Sequence, residues 1–202
     1  MTMSVFQGFQ ILEGPHIEMK PLSPLDSDEL FETLMSQTTW MVAERGITDK
    51  NTFNSYLEGF FARQNKGEGL TLVAREKLSG QITSMSTFWN PSTNLTKIEI
   101  GFTWVADRWM RTFVNTEQKY LMLKFAFESL KVKRVEFSVD PRNERSNAAM
   151  KRLGAHLEGT LRKWLFLSEN DKGDRNIYSI IDDEWPSVRS RLEWRLNQGQ
   201  IK

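Results

Sequence analysis

A strand–helix–strand succession in the middle of the chain constrains the fold more than any other feature. Residues 96–105, TKIEIGFTWV, have the composition of a strand, residues 115–130 carry an apolar stripe at helical spacing, and residues 134–140, RVEFSVD, are typical of a second strand. Two strands joined through such a helix lie parallel in one sheet, because the helix returns the chain to the edge from which it started. The sequence therefore predicts a central βαβ unit.

The segments on either side of this unit predict further strands and helices. Strands or hairpins are predicted over residues 9–19, from Leu70, from Gln81, near 156–167 and near 176–181. Amphipathic helices are predicted up to Met35 and over residues 50–64, 143–153 and 182–197. Because no repeat and no Pro/Gly-rich linker divides the chain, we expect a single α/β (α+β) domain over residues 1–202. Its sheet should be mixed, mostly antiparallel and flanked by helices.

Composition excludes several classes of function. The 202 residues include no cysteine, which rules out disulfides, thiolate nucleophiles and Cys-ligated zinc. A metal site or triad built on imidazole would need both histidines, His16 and His156, from opposite ends of the chain, so we predict no metal. With 27 Lys and Arg against 26 Asp and Glu, no general attraction to nucleic acid or membrane is expected. The absence of a long apolar run or a leader-like start favours a cytoplasmic protein.

The segment 107–119, DRWMRTFVNTEQK, joins the first strand of the βαβ unit to its helix and contains no glycine. A helix N-terminus at this place binds phosphate in many folds, because its peptide N–H groups have no partner within the helix. Asn115 is predicted as the N-cap, with Gln118 reaching back to it. The groups that could hold a diphosphate are those of Arg111, Thr112, Phe113, Val114, Asn115 and Thr116. The alternative is an ordinary capped helix with an exposed arginine.

A second strand-to-helix junction follows at residues 140–155, DPRNERSNAAMKRLGA. Asn143 is predicted as the N-cap of the short helix, with Ser146 and Asn147 in its first turn. Two adjacent junctions of this kind suit a long ligand with a phosphate at one end and a reactive group at the other. Ordinary capping also explains Asn143, whereas the Ser146 hydroxyl could donate a proton to a leaving group.

Glu99 is a candidate general base, because it lies between two isoleucines inside a predicted strand. If Ile98, Ile100, Phe102 and Trp104 share one face, Glu99 shares the other with Gly101 and Thr103. A carboxylate in mid-sheet either pairs with a basic neighbour or lines a cleft, where it could accept a proton. Glu136 in RVEFSVD allows the same two interpretations.

Together these motifs resemble the GNAT superfamily of acetyl-CoA-dependent N-acetyltransferases. The resemblance rests on EIGFTWV, NTEQKYLMLKFAFE, RVEFSVDPRNERSNAAMKRLGAHLEGTLRKW and IYSIIDDEWPSVRSRL in this order, and it covers nearly the whole chain. The early pattern I-L-E-G-x-x-I-x-M-x-P-L is similar to the first strand of the RimJ/RimL group, whose named members acetylate N-terminal amines of ribosomal proteins.

The resemblance implies a sheet splayed between the two strands of the βαβ unit, with the pantetheine arm of acetyl-CoA in the gap. Main-chain groups of Trp104 and Val105 would bind the pantetheine, the loop ending at Asn115 would hold the pyrophosphate, and Asn143 and Asn147 would also contact the cofactor. The family signature, Q/R-x-x-G-x-G/A, has small residues where this chain has Arg111 and Phe113. These residues could still present their N–H groups if their φ angles stay negative.

The implied reaction is direct acetyl transfer to a primary amine, without an acetyl-enzyme because no cysteine can carry one. Glu99 is the first candidate for the base and Glu136 the second, while Ser146 or solvent would protonate the thiolate, since the tyrosine of many relatives is missing. The acceptor is a protein N-terminus or a small amine such as a polyamine, amino acid or antibiotic.

Three further points stay open at the level of sequence. Trp40, Phe53, Tyr56 and Phe60 form either core or an acceptor pocket. The alternative function is a CoA-binding or assembly module that has lost catalysis. The C-terminal helix packs on its own sheet or on a partner, so a monomer and a homodimer both fit.

Overall fold

The computed structural model describes residues 5–35, 46–166 and 172–198. These residues form eight strands: β1 Leu12–Glu13, β2 Ile17–Pro21, β3 Gly69–Glu76, β4 Ile82–Trp89, β5 Lys97–Val105, β6 Arg134–Val139, β7 His156–Leu161 and β8 Arg175–Ile181. They also form five α-helices: α1 Ser27–Met35, α2 Lys50–Lys66, α3 Phe113–Lys124, α4 Glu144–Leu153 and α5 Trp185–Asn197. A π-helical turn, Phe125–Ser129, extends α3. In the described ranges no helix is long and apolar enough to cross a membrane.

The strands form one sheet in the order β1-β2-β3-β4-β5-β6-β8-β7. Among the described strands only β5 and β6 pair in parallel, and α3 connects them, so the predicted central βαβ unit is confirmed. The other neighbours are antiparallel, which confirms the mixed, mostly antiparallel sheet. Short turns join β3 to β4 and β4 to β5.

The sheet opens between β5 and β6. Pairing begins at Lys97↔Arg134 and ends at Glu99↔Glu136, although β5 continues to Val105 and β6 to Val139. The backbone of β5 beyond Glu99 therefore has an edge that β6 does not cover, and this gap is the splay that the family resemblance implied.

The predicted facing of β5 is wrong beyond Gly101. Thr87 pairs with Gly101 and Met85 with Trp104, so Ser86 alone faces both Phe102 and Thr103, which makes a β-bulge. Phe102 has a φ of 48°, and the extra residue exchanges the two faces of the strand after it.

The two faces of the sheet carry separate cores. Ile98, Ile100 and the buried residues of α3, α4 and α5 form one core, whereas Phe102 and Trp104 join the helices α1 and α2 on the other face. Glu99 therefore shares a face with Phe102 and Trp104, while Thr103 turns toward α3.

The helices that flank the sheet are packed within the chain. Phe53 and Phe60 of α2 are buried in the second core and Tyr56 is half-buried, whereas Trp40 lies outside the described residues. The C-terminal helix α5 buries Trp185, Val188 and Leu192 in the first core and packs on α3, so its apolar face meets its own chain, as expected by default.

Candidate active site

Helix α3 begins three residues earlier than the N-cap prediction required. Thr112, and not Asn115, is the N-cap: its backbone is extended, its Oγ1 accepts from the Val114 N–H, and its hydroxyl donates to the Trp109 carbonyl. Asn115 lies in the first turn, where its Oδ1 accepts from the Gln118 side chain at 3.1 Å. The predicted capping box is therefore wrong, although the first-turn peptide N–H groups still open toward the loop.

Arg111 adopts the left-handed backbone conformation, with φ at 62°. This conformation normally favours glycine, which is the residue that the family signature has at this position. The condition of a negative φ, which the sequence analysis set for Arg111, is therefore not met. The loop keeps the shape of a glycine turn with an exposed arginine in it.

The two strand-to-helix junctions meet in space. Nη1 of Arg145, in the first turn of α4, lies 3.1 Å from the sulfur of Met110 in the loop before α3. Asn143 caps α4 as predicted, because its Oδ1 accepts from the Ser146 N–H at 3.0 Å. Since the Ser146 hydroxyl has no hydrogen-bond partner among the described residues, it is available to a ligand.

The Asn147 side chain holds the start of α4 in place. Its Nδ2 donates to the carbonyls of Asp140 (2.9 Å) and Asn143 (2.8 Å), and its Oδ1 accepts from Asn176 (2.8 Å) and Tyr178 (2.9 Å). These four bonds use the amide fully. A cofactor contact of Asn147 stays a prediction, and it would require one of these bonds to break.

Glu99 stands at the point where the sheet opens. It is the last β5 residue paired with β6, and among the described residues its carboxylate accepts one hydrogen bond, from Asn90 Nδ2 at 3.3 Å. Burial raises the pKa of the Glu99 carboxyl to about 7, with a smaller contribution from nearby Glu136, while the Asn90 hydrogen bond and Lys97 act in the opposite direction. Such a carboxylate can take up a proton near neutral pH.

Glu136 is held in ion pairs instead. Its carboxylate lies 2.9 Å from Arg134 Nε and 2.7 Å from Lys97 Nζ. This is the structural pairing that the sequence left open, and it distinguishes Glu136 from its neighbour across the strands.

Two buried polar atoms near the opening lack partners among the described residues, the Trp109 indole Nε1 and the Ser138 Oγ. Trp109 lies in the loop before α3, and Ser138 lies on β6 two residues beyond the last pair with β5. The Ala106 N–H donates to Thr83 of β4, so the preceding Val105 N–H points to the uncovered edge of β5. These donors fit a ligand that has amide and phosphate groups, such as acetyl-CoA with its pantetheine and pyrophosphate.

Three buried polar residues of α3 were missed by sequence reasoning. Glu117, Gln118 and Lys119 are at most 3% exposed, and each contacts a different part of the sheet. Glu117 accepts from the His16 and Ile17 N–H groups, Gln118 accepts from the Ser84 hydroxyl, and Lys119 contacts the Ser86 and Thr103 hydroxyls. The sequence does not set these three residues apart, because they belong to a run of five polar residues, 115–119.

Comparison with known proteins gives the class of this chain. Residues 16–156 match the family model described as "Acetyltransferase (GNAT) domain". The chain therefore belongs to the GNAT acetyltransferase family, and it is an N-acetyltransferase by that membership.

The relatives are consistent with the RimJ/RimL-like group. The "Putative ribosomal N-acetyltransferase YdaF" of Bacillus subtilis (strain 168) is 25% identical over 174 residues, which cover 84% of this chain and 93% of that protein. A crystal structure of a "putative acetyltransferase" from T. thermophilus is 30% identical with a TM-score of 0.81, covering 93% of this chain and 97% of the other. RimJ of Mycobacterium smegmatis, "in complex with CoA-disulfide", shares the fold with a TM-score of 0.73 at 21% identity, covering 95% and 92% of the two chains.

Proposed function

We propose that this protein transfers an acetyl group from acetyl-CoA directly to a primary amine, within a ternary complex. The observation that carries the proposal is Glu99, a carboxyl with a pKa near 7 at the place where β5 and β6 separate. The gap beyond it suits the pantetheine arm, and the loop before α3, the first turn of α3 and Arg111 suit the pyrophosphate. The RimJ structure with a CoA derivative supports the same choice of cosubstrate.

In this mechanism Glu99 prepares the acceptor. An amine is mostly protonated at neutral pH, so Glu99 accepts its proton, directly or through water, before the amine attacks the thioester carbonyl. The Val105 N–H, at the uncovered edge of β5, donates to the carbonyl oxygen as charge develops on it. After attack the nitrogen releases its second proton to solvent. The amide carbonyl re-forms as the carbon–sulfur bond breaks, and the thiolate then takes a proton.

The acceptor approaches from the face of the sheet that carries Glu99. The Trp89 and Phe102 rings lie 4.9 Å apart on this face, and the Phe60 ring packs edge-on against Phe102 at 5.4 Å. We propose the N-terminal amine of a protein as the acceptor, which the name of the YdaF relative supports, with a small amine as the alternative. The half-buried aromatic wall would contact the first side chain of such a peptide.

A thermal-shift titration followed by an acceptor panel tests the function. We expect acetyl-CoA to raise the midpoint of unfolding by mass action. With acetyl-CoA, tetrapeptides that have a free N-terminus should gain an acetyl group detectable by mass spectrometry, whereas N-terminally blocked controls should not. If only polyamines or free amino acids gain an acetyl group, the acceptor is a small amine and not a protein N-terminus. Stabilisation without transfer to any amine would indicate a CoA-binding module and contradict the proposal.

A further inference from the structure

Lys119 carries a buried amine that has no counter-ion among the described residues. Its Nζ lies 3.2 Å from the Ser86 Oγ and also contacts the Thr103 Oγ1, and no carboxylate pairs with it among the described residues. An unpaired ammonium costs much more to bury than the two hydroxyls can return. A fold that only needed packing at this position would be more stable with an apolar side chain, so the lysine suggests a function.

Lys119 lies between the first turn of α3 and β5, where its amine contacts Thr103. A cavity between α3, α4 and α5 is lined by Lys119 together with Asn115, Thr116, Met150, Arg152 and Arg195. Thr116 is one helical turn nearer the start of α3, about 4.5 Å along the axis. Thr103, which Lys119 contacts, lies on β5 just past the bulge, two residues before Val105. A chain that runs from the first turn of α3 into the β5–β6 gap therefore passes the lysine amine.

The charge around Lys119 favours an anion. The described residues that line the cavity include Arg152 of α4 and Arg195 of α5. The Lys119 amine itself contacts the Ser86 hydroxyl of β4 and the Thr103 hydroxyl of β5. No carboxylate is among the described residues that line the cavity. Ser146, which sequence reasoning suggested as the proton donor, is not among these residues either.

We propose that Lys119 is the proton donor to the departing CoA thiolate. This inference rests on the proposed acetyl transfer from acetyl-CoA. In the step, the carbon–sulfur bond breaks, its electron pair goes to sulfur, and a proton moves from the Lys119 ammonium to that sulfur, leaving a neutral amine. Solvent returns the proton after CoA leaves. Thr103 and Ser86 are positioning residues that aim the amine.

The protonation behaviour of the lysine suits this role. Burial lowers the pKa of Lys119 from its ordinary 10.5 to about 7, so the ammonium gives up a proton readily near neutral pH. Below pH 7 the group is charged and active as an acid, and above pH 7 it loses its proton. Lys119 should therefore produce the alkaline limb of a bell-shaped pH profile of kcat, and Glu99 the acid limb.

The test compares Lys119→Met with Lys124→Met, a lysine on the same helix outside the cavity. Acetyl-CoA and the best acceptor of the panel serve as probes. For Lys119→Met we expect kcat to fall about 100-fold, the alkaline limb to disappear and acetyl-CoA affinity to change less than about threefold. The same variant should also gain more than about 4 °C in Tm at pH 7, because it removes a buried charge and leaves Ser86 and Thr103 bonded to each other at 2.7 Å. A merely structural lysine would not combine higher stability with lower kcat.

The pH dependence of the stability difference between Lys119→Met and the wild type gives a second measurement. Lys119 binds a proton up to about pH 10.4 in the unfolded chain, whereas it loses the proton near pH 7 in the folded protein. Below pH 7 the buried charge therefore lowers the free energy of unfolding of the wild type by its full amount. The advantage of Lys119→Met should shrink between pH 7 and about 10.4. Thr103→Val, which only removes a positioning hydroxyl, should lower kcat by a smaller factor without changing acetyl-CoA affinity.

Each outcome decides the inference. Unchanged kcat and an unchanged alkaline limb in Lys119→Met, with normal wild-type turnover, would overturn the role of Lys119 and leave the proposed function standing. A large fall in kcat in Ser146→Ala, with kcat unchanged in Lys119→Met, would move the role to Ser146. An acetyl group found on Lys119 itself would make it a nucleophile and contradict the proposal. If the wild type transfers acetyl to no amine, the proposed function fails, and this inference fails with it.

Discussion

At the scale of single residues, backbone conformation sets the shape of the loop before α3. Sequence reasoning placed the N-cap at Asn115, because asparagine is a strong cap, whereas Thr112 takes that role. Both residues are good caps, so propensity alone could not choose between them. The left-handed Arg111 was also beyond sequence reasoning, since arginine rarely adopts this conformation and nothing in its side chain signals it.

Arg111 yields a prediction that separates backbone shape from charge. Arg111→Gly and Arg111→Val both remove the guanidinium, but only glycine adopts a φ of 62° without strain. Arg111→Gly relieves about 1–2 kcal/mol of backbone strain but adds about 0.5–1 kcal/mol of chain entropy in the unfolded state. Because these effects oppose each other, its free energy of unfolding should stay close to that of the wild type. Arg111→Val should be less stable and bind CoA more weakly than Arg111→Gly, as measured by denaturant unfolding and calorimetric titration. Equal CoA affinity in the two variants would mean that the loop shape does not matter for binding.

At the scale of elements, strand facing was predictable only up to the bulge. The alternation around Glu99 holds from Lys97 to Gly101 and then breaks at Phe102, because one extra residue stands opposite Ser86. A bulge depends on pairing with the neighbouring strand, which a single segment does not reveal. As a result, Thr103 turns to Lys119, and Phe102 joins the face that carries Glu99.

Glu117 joins helix α3 to the β1–β2 hairpin. Its carboxylate accepts from the backbone of His16 (2.9 Å) and Ile17 (3.0 Å) and from the His16 ring (2.7 Å), and it is fully buried. Gly14 leaves room for it, because a Cβ there would lie 2.3 Å from Glu117 Oε1.

We expect Glu117→Ala to destabilise the protein by about 3 kcal/mol, since two buried peptide N–H groups lose a charged acceptor. Gly14→Ala should also destabilise it, because the new methyl group displaces the carboxylate. Denaturant unfolding measures both changes, with the exposed Glu58→Ala as the control. A change of less than about 0.5 kcal/mol in Glu117→Ala would show that the hairpin is held by its apolar contacts alone.

At the scale of the whole molecule, element order was predictable and the distribution of roles was not. Strong periodicity and short turns gave the order of strands and helices, including the parallel β5–β6 pair, and a family resemblance gave the opening between them. The sequence could not distinguish Glu99 from Glu136, because both are single acids between apolar residues. Their difference arises from partners brought together only by folding: Arg134 and Lys97 pair with Glu136, whereas Glu99 receives one hydrogen bond from Asn90.

The pH dependence of kcat/KM in wild type, Glu99→Gln and Glu136→Gln tests the central claim most directly. With the pKa of Glu99 raised to about 7, its base form grows as the pH rises, so the wild-type rate should climb from pH 6 through pH 7. Glu99→Gln should lose that climb together with about 100-fold in rate, and Glu136→Gln should keep it. A Glu99→Gln enzyme that retains the wild-type rate and the same climb would contradict the account of how this acetyltransferase activates its acceptor.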